Sequence, residues 1–549
     1  MTDANSNSGF SLGRRLIRAS CAVGIAHIIF KLIGLIQAIV VGRYLDSGTY
    51  DVVYAFAFEG VIFSVFLLGE ETIGPSFLPV FLQQKDKGGE KSAWHFANII
   101  LTVQFLILLL GMLLILVFPD AVIRLLTGWT GTNDPARYAL ARKSVIWLAP
   151  ALICLSLGST TYMILNGYKR FFLAAFGDAS WKICVLASVL VGMGIFGLDY
   201  RCIIFGLLVG SIAKLLTHLA GMLREIRFFR PSIMFRDPAV KQMLLLMAPL
   251  ILGVIFARAR DIFNNVTILS YLDTEGLMKA NSFGRKLYVA IGWLVPYSIS
   301  IAMFPFFCEL VDRNDKERFG HLLSKAGRMM LSVFIPFSFV CAVLSRPLSF
   351  VLFHGGEFTA EPVEWTAVSM SCYILVLPGY ALEYLLMQAF FANRRMVSVT
   401  VVGIIFSAVS VAISYVGIAM FGARGVWALM VIALGYTLSR TLKAVTLVTL
   451  LKKSIPIFPL GETISFVLRA FLVGAISAGL CFLCTTGFER YISSTDEKLI
   501  LLCKLAAGGV AALIGFLVST RILRLKEPMD MWQWATDVVR KRFKRELTE

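Results

Sequence analysis

Charged side chains are scarce in this chain. Asp, Glu, Lys and Arg make up only 16% of its 549 residues, whereas hydrophobic residues make up 58%. A water-soluble domain of ordinary composition carries more charge and less apolar surface, so that class is excluded. Apolar runs of about 20 residues, long enough to cross a ~30 Å bilayer core as helix, recur from residue 16 to residue 523. The composition therefore predicts an all-α polytopic membrane protein with about fourteen transmembrane helices.

Motifs for catalysis and metal binding are also lacking. Histidine occurs five times, and no HExxH motif, P-loop or Ser-His-Asp arrangement is recognisable. The loops between apolar runs are no longer than about 25 residues, which leaves no room for a globular catalytic domain. The ten cysteines lie mostly within apolar runs and predict no disulfide framework. These absences predict a transporter, not an enzyme, without a metal or a bound cofactor.

Acidic residues are the minority among the charges. The chain has 52 Lys and Arg against 34 Asp and Glu, a net charge of +18. The excess is spread over alternate loops, which anionic lipids explain better than nucleic acid does. Because cytoplasmic loops are enriched in Lys and Arg, this alternation predicts an even number of spans and two cytoplasmic termini. In this scheme Arg440 and Lys443 belong to the cytoplasmic loop after the twelfth run.

A few strong charges nevertheless interrupt the apolar runs. Each would cost about 2.5 to 3.5 kcal/mol at the centre of a bilayer if it faced lipid. They are mostly positive, so they predict a polar cavity for an anionic substrate. These residues are Lys31, Arg258, Arg260, Asp261, Arg285 and Lys286.

Helical spacing places Arg258 and Asp261 on one face of the seventh run and Arg260 on a neighbouring face. One interpretation is a cavity wall; the other is a neutralised Arg258 to Asp261 pair that braces two helices. We expect Arg260 to have no acidic partner on its own helix, which favours the cavity. Counter-charges are expected from four acidic residues in or near other runs: Glu59, Glu70, Glu71 and Glu383. For Glu59 and Glu383, a proton-coupling role is the alternative.

The chemistry of these cations indicates the ligand class. Arginine binds phosphate and pyrophosphate through a fork of donors, whereas lysine offers a compact point charge. A cavity with both would hold a diphosphate while a tethered group moves. Membrane potential or an ion gradient would supply the energy, and the sequence names no ion.

Four stretches of the chain have a distinctive sequence. They are GEETIGPSFLPVF (69–81), ILNGYKRFFLAAFGD (164–178), APLILGV (248–254) and VLFHGGEFTAEP (351–362). These stretches are similar to the MurJ (MviN) family of lipid II flippases, within the multidrug/oligosaccharidyl-lipid/polysaccharide exporter superfamily. The last contains the family's LFxxGxFT loop and is the most specific. The resemblance extends through most of the chain.

This resemblance implies two six-helix lobes around a central cationic cavity, over residues 1–223 and 224–453. Two further helices over 454–523 would form a groove for a polyprenyl tail, and an amphipathic cytoplasmic tail would cover 524–549. The implied reaction moves an undecaprenyl-pyrophosphate-linked peptidoglycan precursor from the inner to the outer leaflet of the bacterial cytoplasmic membrane. Cell-wall synthesis enzymes are possible partners.

The resemblance also assigns cavity residues. Lys31 falls where the first arginine of the first span is expected, Asp51 matches an aspartate that opens the second span, and Lys286 or Arg285 matches a basic residue of the eighth. The chain departs from the pattern at Gln37 and Ser64, where arginines are usual.

The seventh-span arginines are a further departure, because the family is typically uncharged at Arg258 and Arg260. Either the positive charge absent at Gln37 and Ser64 has been relocated to Arg258 and Arg260 across the same cavity, or the substrate differs from lipid II. Two alternatives to lipid II transport therefore stay open: export of another polyprenyl-linked oligosaccharide, of O-antigen or capsule type, and a non-transporting scaffold of the same fold. A cation-coupled drug exporter needs an acidic cavity, so the predominance of Lys and Arg disfavours it.

Overall fold

The computed structural model describes residues 29–30, 32–491 and 497–529. Within these ranges the chain is helical apart from turns and one isolated bridge between Gly355 and Phe358. The predicted all-α class is confirmed. Lys31 and the predicted tail from residue 530 onward lie outside the described residues.

The helices fall into two compact units. The first comprises Met1–Ile262 with Gly355–Phe358, and the second comprises Phe263–His354 with Thr359–Glu549. The boundary at Ile262 falls within the long helix Pro238–Ser270. The lobe boundary expected at residues 223–224 stays a prediction.

The described helices of the first unit are numbered in chain order. They are α1 Leu32–Tyr44, α2 Ser47–Val117, α3 Pro119–Leu126, α4 Pro135–Gly167, α5 Phe171–Ile195, α6 Arg201–Gly221 and α7 Pro238–Ile262.

Numbering continues through the described part of the second unit. Its helices are α8 Leu277–Leu294, α9 Pro296–Asp312, α10 Lys316–Val343, α11 Ser345–Phe353, α12 Ala360–Ile374, α13 Leu377–Ala392, α14 Met396–Met420, α15 Val426–Lys452, α16 Leu460–Tyr491 and α17 Glu497–Ile522.

Ten helices among the described residues are long and apolar enough to cross a membrane, and the count rises to eleven if α12 and α13, bent by 45°, form one span. The helix α2 covers two predicted runs, and α1 is a shorter apolar helix. The count of about fourteen therefore stays a prediction, whereas the multi-pass architecture is established.

Local sequence explains where several helices begin and bend. Asp134 and Asp315 cap α4 and α10 by accepting hydrogen bonds from Arg137 N at 3.1 Å and Arg318 N at 3.0 Å. In α2, Gly89 has φ +67, a conformation that favours glycine, and it breaks the helix between two spans. Earlier in α2, Tyr50–Phe63 is wound as a π-helix, a wider form that is frequent at functional sites.

Small residues bring α5 and α6 close together. A Cβ atom at Gly210 would lie 2.6 Å from the carbonyl oxygen of Trp181, and one at Gly206 would lie 3.1 Å from the Cα of Val185. Close approach through glycine is typical of membrane helices. This contact fixes the register of the polar residues that the two helices carry.

Candidate functional site

The charges at the end of α7 form an ion-paired cluster with α2. The guanidinium of Arg258 donates a hydrogen bond to the carboxylate of Glu71 and lies 3.5 Å from Asp261 Oδ2. Arg260, which is buried, donates from Nε and Nη2 to Asp261 Oδ1 at 3.0 and 2.7 Å. The four side chains carry two positive and two negative charges.

The expectation that Arg260 has no acidic partner on its own helix is wrong. Adjacent helical residues point about 100° apart, so helical spacing alone does not pair Arg260 with Asp261. The long arginine side chain spans that angle and returns to the neighbouring carboxylate. The contact between Arg258 and Asp261 matches the bracing interpretation, and Glu71 adds a partner from another helix.

Sequence reasoning missed a second charged cluster in the first unit. Lys214 Nζ of α6 lies 2.6 Å from Asp178 Oδ1 of α5, and only 1% of the lysine side chain is exposed. The charged neighbours of Glu70 are Asp178, Lys214, Glu71 and Lys182. The signal was available, because Lys214 interrupts an apolar run as Arg258 does.

Buried polar groups extend this cluster towards α4. His218 is fully buried; its Nδ1 lies 2.9 Å from Thr161 Oγ1 and its Nε2 lies 3.1 Å from the carbonyl oxygen of Ala174. The imidazole ring packs directly against the backbone of Gly177, where a Cβ atom would collide with it. Helices α2, α4, α5 and α6 therefore meet at polar side chains.

The start of α2 contains further predicted site residues. Asp51 is buried within the π-helix, where Glu59 lies half-buried as a charged neighbour of Tyr54. Gln37 Nε2 donates to Tyr54 Oη at 3.2 Å, and Ser64 Oγ donates to the carbonyl oxygen of Glu59 at 2.8 Å. The two positions that depart from the family pattern thus make local polar contacts in α1 and α2.

The second unit holds a three-residue ion cluster around Glu383, which is buried. Arg440 Nη1 lies 2.7 Å from both carboxylate oxygens of Glu383, and Lys443 Nζ lies 2.7 Å from Oε1. The guanidinium of Arg440 also lies 5.3 Å from the ring centre of Tyr380 and 5.2 Å from that of Tyr436. At these distances cation–π attraction adds to the ion pairs.

This cluster corrects the assignment of Arg440 and Lys443 to a cytoplasmic loop. Both lie within α15, Val426–Lys452, well before its end. The sequence suggested a loop because basic residues are typical of cytoplasmic loops. Pairing with Glu383 of α13 instead holds them against the helical bundle.

Arg285 and Lys286 lie on α8, at positions 285 and 286 of a helix that begins at Leu277. The ammonium of Lys286 is 5.6 Å from the ring centre of Phe283, and Arg285 is a charged neighbour of the buried Tyr288. These two residues belong to the second unit, whereas Arg258, Arg260 and Asp261 belong to the first.

The turn after α4 makes a separate polar contact. Tyr168 donates to the Glu90 carboxylate and accepts from Trp94 Nε1 at 2.9 Å. Burial and the bond to Glu90 raise the pKa of Tyr168 well above its ordinary value, so it stays a donor at physiological pH. Arg170 binds Glu225 through two hydrogen bonds of 2.9 and 2.8 Å.

The loop within VLFHGGEFTAEP closes against the end of α1. Glu357 N donates to the carbonyl oxygen of Arg43 at 2.8 Å, and Gly356 has φ +60 and approaches that oxygen so closely that a Cβ atom would collide with it. Arg43, Tyr44 and Glu357 line a cleft of about 600 Å³. No three His, Cys, Asp or Glu residues are grouped to hold a metal in the part of the chain that the structure describes.

Comparison with known proteins gives one consistent family. Residues 41–502 match the family model described as lipid II flippase MurJ. A probable lipid II flippase MurJ of Bdellovibrio bacteriovorus is 24% identical over 532 residues, which are 94% of this chain and 98% of that protein. The probable lipid II flippase MurJ of Borreliella burgdorferi is 25% identical over 366 residues, covering 65% and 69% of the two chains.

Solved structures share the fold. A lipid II flippase MurJ in an inward closed conformation aligns with a TM-score of 0.72 at 18% identity, covering 92% of this chain and 99% of that one. An inward-facing multidrug resistance MATE transporter of the MOP superfamily aligns with a TM-score of 0.62 at 13% identity, covering 78% and 99%.

Proposed function

Because the chain belongs to the lipid II flippase MurJ family, we propose that it moves lipid II from the inner to the outer leaflet of the cytoplasmic membrane. The observation that carries this proposal is the family match over residues 41–502. The fold shared with a MATE transporter supports alternating access as the mechanism, in which a cavity opens first to one side and then to the other. No bond is made or broken in this reaction.

The substrate we propose is a polyprenyl pyrophosphate that carries the peptidoglycan precursor. Its diphosphate is the group that Lys31, Asp51, Arg258, Arg260, Asp261, Arg285 and Lys286 would hold or orient. Buried arginine supplies charge-assisted hydrogen bonds to such an anion. In the α7 cluster a phosphate oxygen would compete with Glu71 and Asp261, so binding there would exchange one anion for another.

Complementation tests the substrate. A strain depleted of its own lipid II flippase should grow when this protein is expressed, and the same strain with an empty vector should not. Purified protein in liposomes should then move fluorescent lipid II faster than an undecaprenyl-pyrophosphate O-antigen unit. The reverse preference, with good expression, would favour the alternative exporter.

Single substitutions separate transport from a scaffold role. Arg285→Ala, Lys286→Ala and Arg258→Ala should each reduce lipid II flipping at least about tenfold, since loss of a charge-assisted contact costs roughly 1.5 to 3 kcal/mol. Arg142→Ala, at an exposed pair with Asp120, is the matched control and should keep the wild-type rate. A scaffold would tolerate all four changes in growth assays.

Orientation and partners complete the proposal. Both termini would lie in the cytoplasm, as the alternation of basic loops predicts. Cell-wall synthesis enzymes would supply lipid II inside and consume it outside. Attachment of a reporter that fluoresces only in the cytoplasm to either terminus should give signal, and a dark fusion at both ends would contradict this orientation.

A further inference from the structure

The ion pair between Lys214 and Asp178 is asymmetric in its burial. The lysine side chain is 1% exposed, whereas the aspartate side chain is 35% exposed. The alkyl chain of Lys214 fills the space beside Gly158, where a Cβ atom would lie 2.8 Å from its Cε, and its ammonium lies 4.3 Å from the ring centre of Phe66. The cation is therefore enclosed, while its counter-ion lies partly at the surface of the helices.

The other charged groups around this pair come from three helices. Glu70 and Glu71 are on α2, Asp178 and Lys182 are on α5, and Lys214 is on α6 together with His218. Glu71 is paired with Arg258, which leaves Glu70, Asp178, Lys182 and Lys214 with two negative and two positive charges. Addition of one proton to Glu70 breaks this balance.

His218 has hydrogen-bond partners for two protonation states. Thr161 Oγ1 lies 2.9 Å from His218 Nδ1 and 3.1 Å from the carbonyl oxygens of Leu157 and Gly158. If the hydroxyl donates to a carbonyl, it accepts from Nδ1–H; if it donates to Nδ1, the ring is neutral with its proton on Nε2, facing Ala174. Rotation of one hydroxyl therefore accommodates either state.

Protonation would have a mechanical consequence. The ammonium of Lys214, 2.6 Å away, keeps Asp178 ionised, so the proton adds to Glu70. A neutral Glu70 would leave the positive charges of Lys214 and Lys182 with only one carboxylate, and an uncompensated buried charge strongly destabilises the arrangement that holds it. Because α5 and α6 touch at backbone level through Gly210 and Trp181, a change in the charge of this cluster acts directly on the packing between the two helices.

We propose that Asp178, Glu70, Lys214 and His218 form a proton-binding site that couples proton uptake to rearrangement of α5 against α6. The proton comes from water and adds to a carboxylate oxygen, so no other reactant is needed. The claim that this rearrangement drives transport rests on the proposed function. The claim that protonation rearranges α5 against α6 does not. The site is built from residues other than the cations assigned to the pyrophosphate.

The switch can be measured without substrate. Hydrogen exchange of the purified full-length protein is measured at pH 5.5 and pH 8. The rates are expressed as protection factors, which correct for the effect of pH on intrinsic exchange. Peptides of α5 and α6 should lose protection at least about fivefold at the lower pH. In Asp178→Asn/Lys214→Met, which removes both charges, the difference should disappear, whereas Asp120→Asn/Arg142→Gln removes an exposed pair and should behave as wild type. Equal pH responses in wild type and in the buried-pair variant would overturn the proposal.

Coupling is then tested in liposomes with the membrane potential clamped. An imposed pH gradient should change the rate of lipid II flipping several-fold in the wild type and leave Asp178→Asn/Lys214→Met unchanged. A response to a sodium gradient with none to the pH gradient would overturn proton coupling. If the wild-type protein shows the pH-dependent loss of exchange protection but does not flip lipid II, the proposed function is contradicted and the proton-dependent rearrangement still stands.

A second variant guards against misfolding of the first. If Asp178→Asn/Lys214→Met does not fold, Glu70→Gln takes its place in the exchange experiment. It removes the carboxylate that takes the proton, so the loss of protection at the lower pH should fall at least about twofold. An unchanged response in Glu70→Gln would overturn the role of the cluster.

Discussion

Arg258 binds Glu71 across 187 positions of the chain, and this ion pair ties α7 to α2 within the first unit. Arg258 also contacts Asp261 on its own helix at 3.5 Å. One guanidinium thus serves a local and a distant carboxylate, which neither helix alone would suggest.

The Arg258 to Glu71 pair should contribute modestly to stability. Because 39% of the Glu71 side chain is exposed, we expect a coupling energy of about 1 kcal/mol in a cycle of Arg258→Met, Glu71→Gln and the double variant. Thermal unfolding of the purified protein measures it. Additive effects of the two single changes would show that the pair is not energetically coupled.

Glu383→Gln should be far more damaging. It leaves Arg440 and Lys443 without the buried carboxylate that both contact, and removal of one partner from such a pair costs about 3 kcal/mol or more. The matched control is Glu364→Gln, at an exposed pair with Arg346, which should change stability by at most about 1 kcal/mol. Unfolding midpoints of the two variants should differ clearly, and equal midpoints would contradict the burial argument.

Gly210→Ala should disturb the contact between α5 and α6. The new methyl group would meet the backbone of Trp181, which cannot rotate away, and overpacking of this kind costs about 1 to 3 kcal/mol. Gly509→Ala is the control, because no atom lies within 4 Å of the position, and it should stabilise its helix by up to about 1 kcal/mol. Thermal unfolding should show a lower midpoint for Gly210→Ala and a higher midpoint for Gly509→Ala than for the wild type.

Gly356→Ala should destabilise more than Gly422→Ala. Both glycines have positive φ, +60 and +70, so both variants bear the left-handed strain of about 1 to 2 kcal/mol. Only the first would also press against the Arg43 carbonyl oxygen, since Gly422 has no atom within 4 Å. The difference between the two unfolding free energies isolates the contact between α1 and the loop at Gly356, and a difference of zero would mean that the loop shifts freely.

Composition and apolar runs were sufficient to predict the helical class and the multi-pass architecture, because both depend on properties that a single chain displays along its length. The charged residues of the runs were also visible. Their partners were not, since Arg440 meets Glu383 across 57 positions and periodicity describes one helix at a time. Lys214 was overlooked although the criterion that selected Arg258 applies to it equally.

Local geometry limited the prediction in a different way. Helical spacing placed Arg260 and Asp261 on separate faces, but a long side chain bends back over one residue of backbone. The pattern of basic loops likewise placed Arg440 and Lys443 outside the twelfth run, because it treats basic residues as exposed and has no means of representing their pairing with a carboxylate of another helix.

The Glu383 cluster fixes α13 to α15 at a point within both helices. Two helices joined there by charge in a low-dielectric interior cannot slide past each other by a turn without separating ions. The helix α12 is attached to α15 as well, because Thr437 Oγ1 donates to the carbonyl oxygen of Cys372 at 3.1 Å. The helix α15 therefore anchors both sides of the 45° bend between α12 and α13.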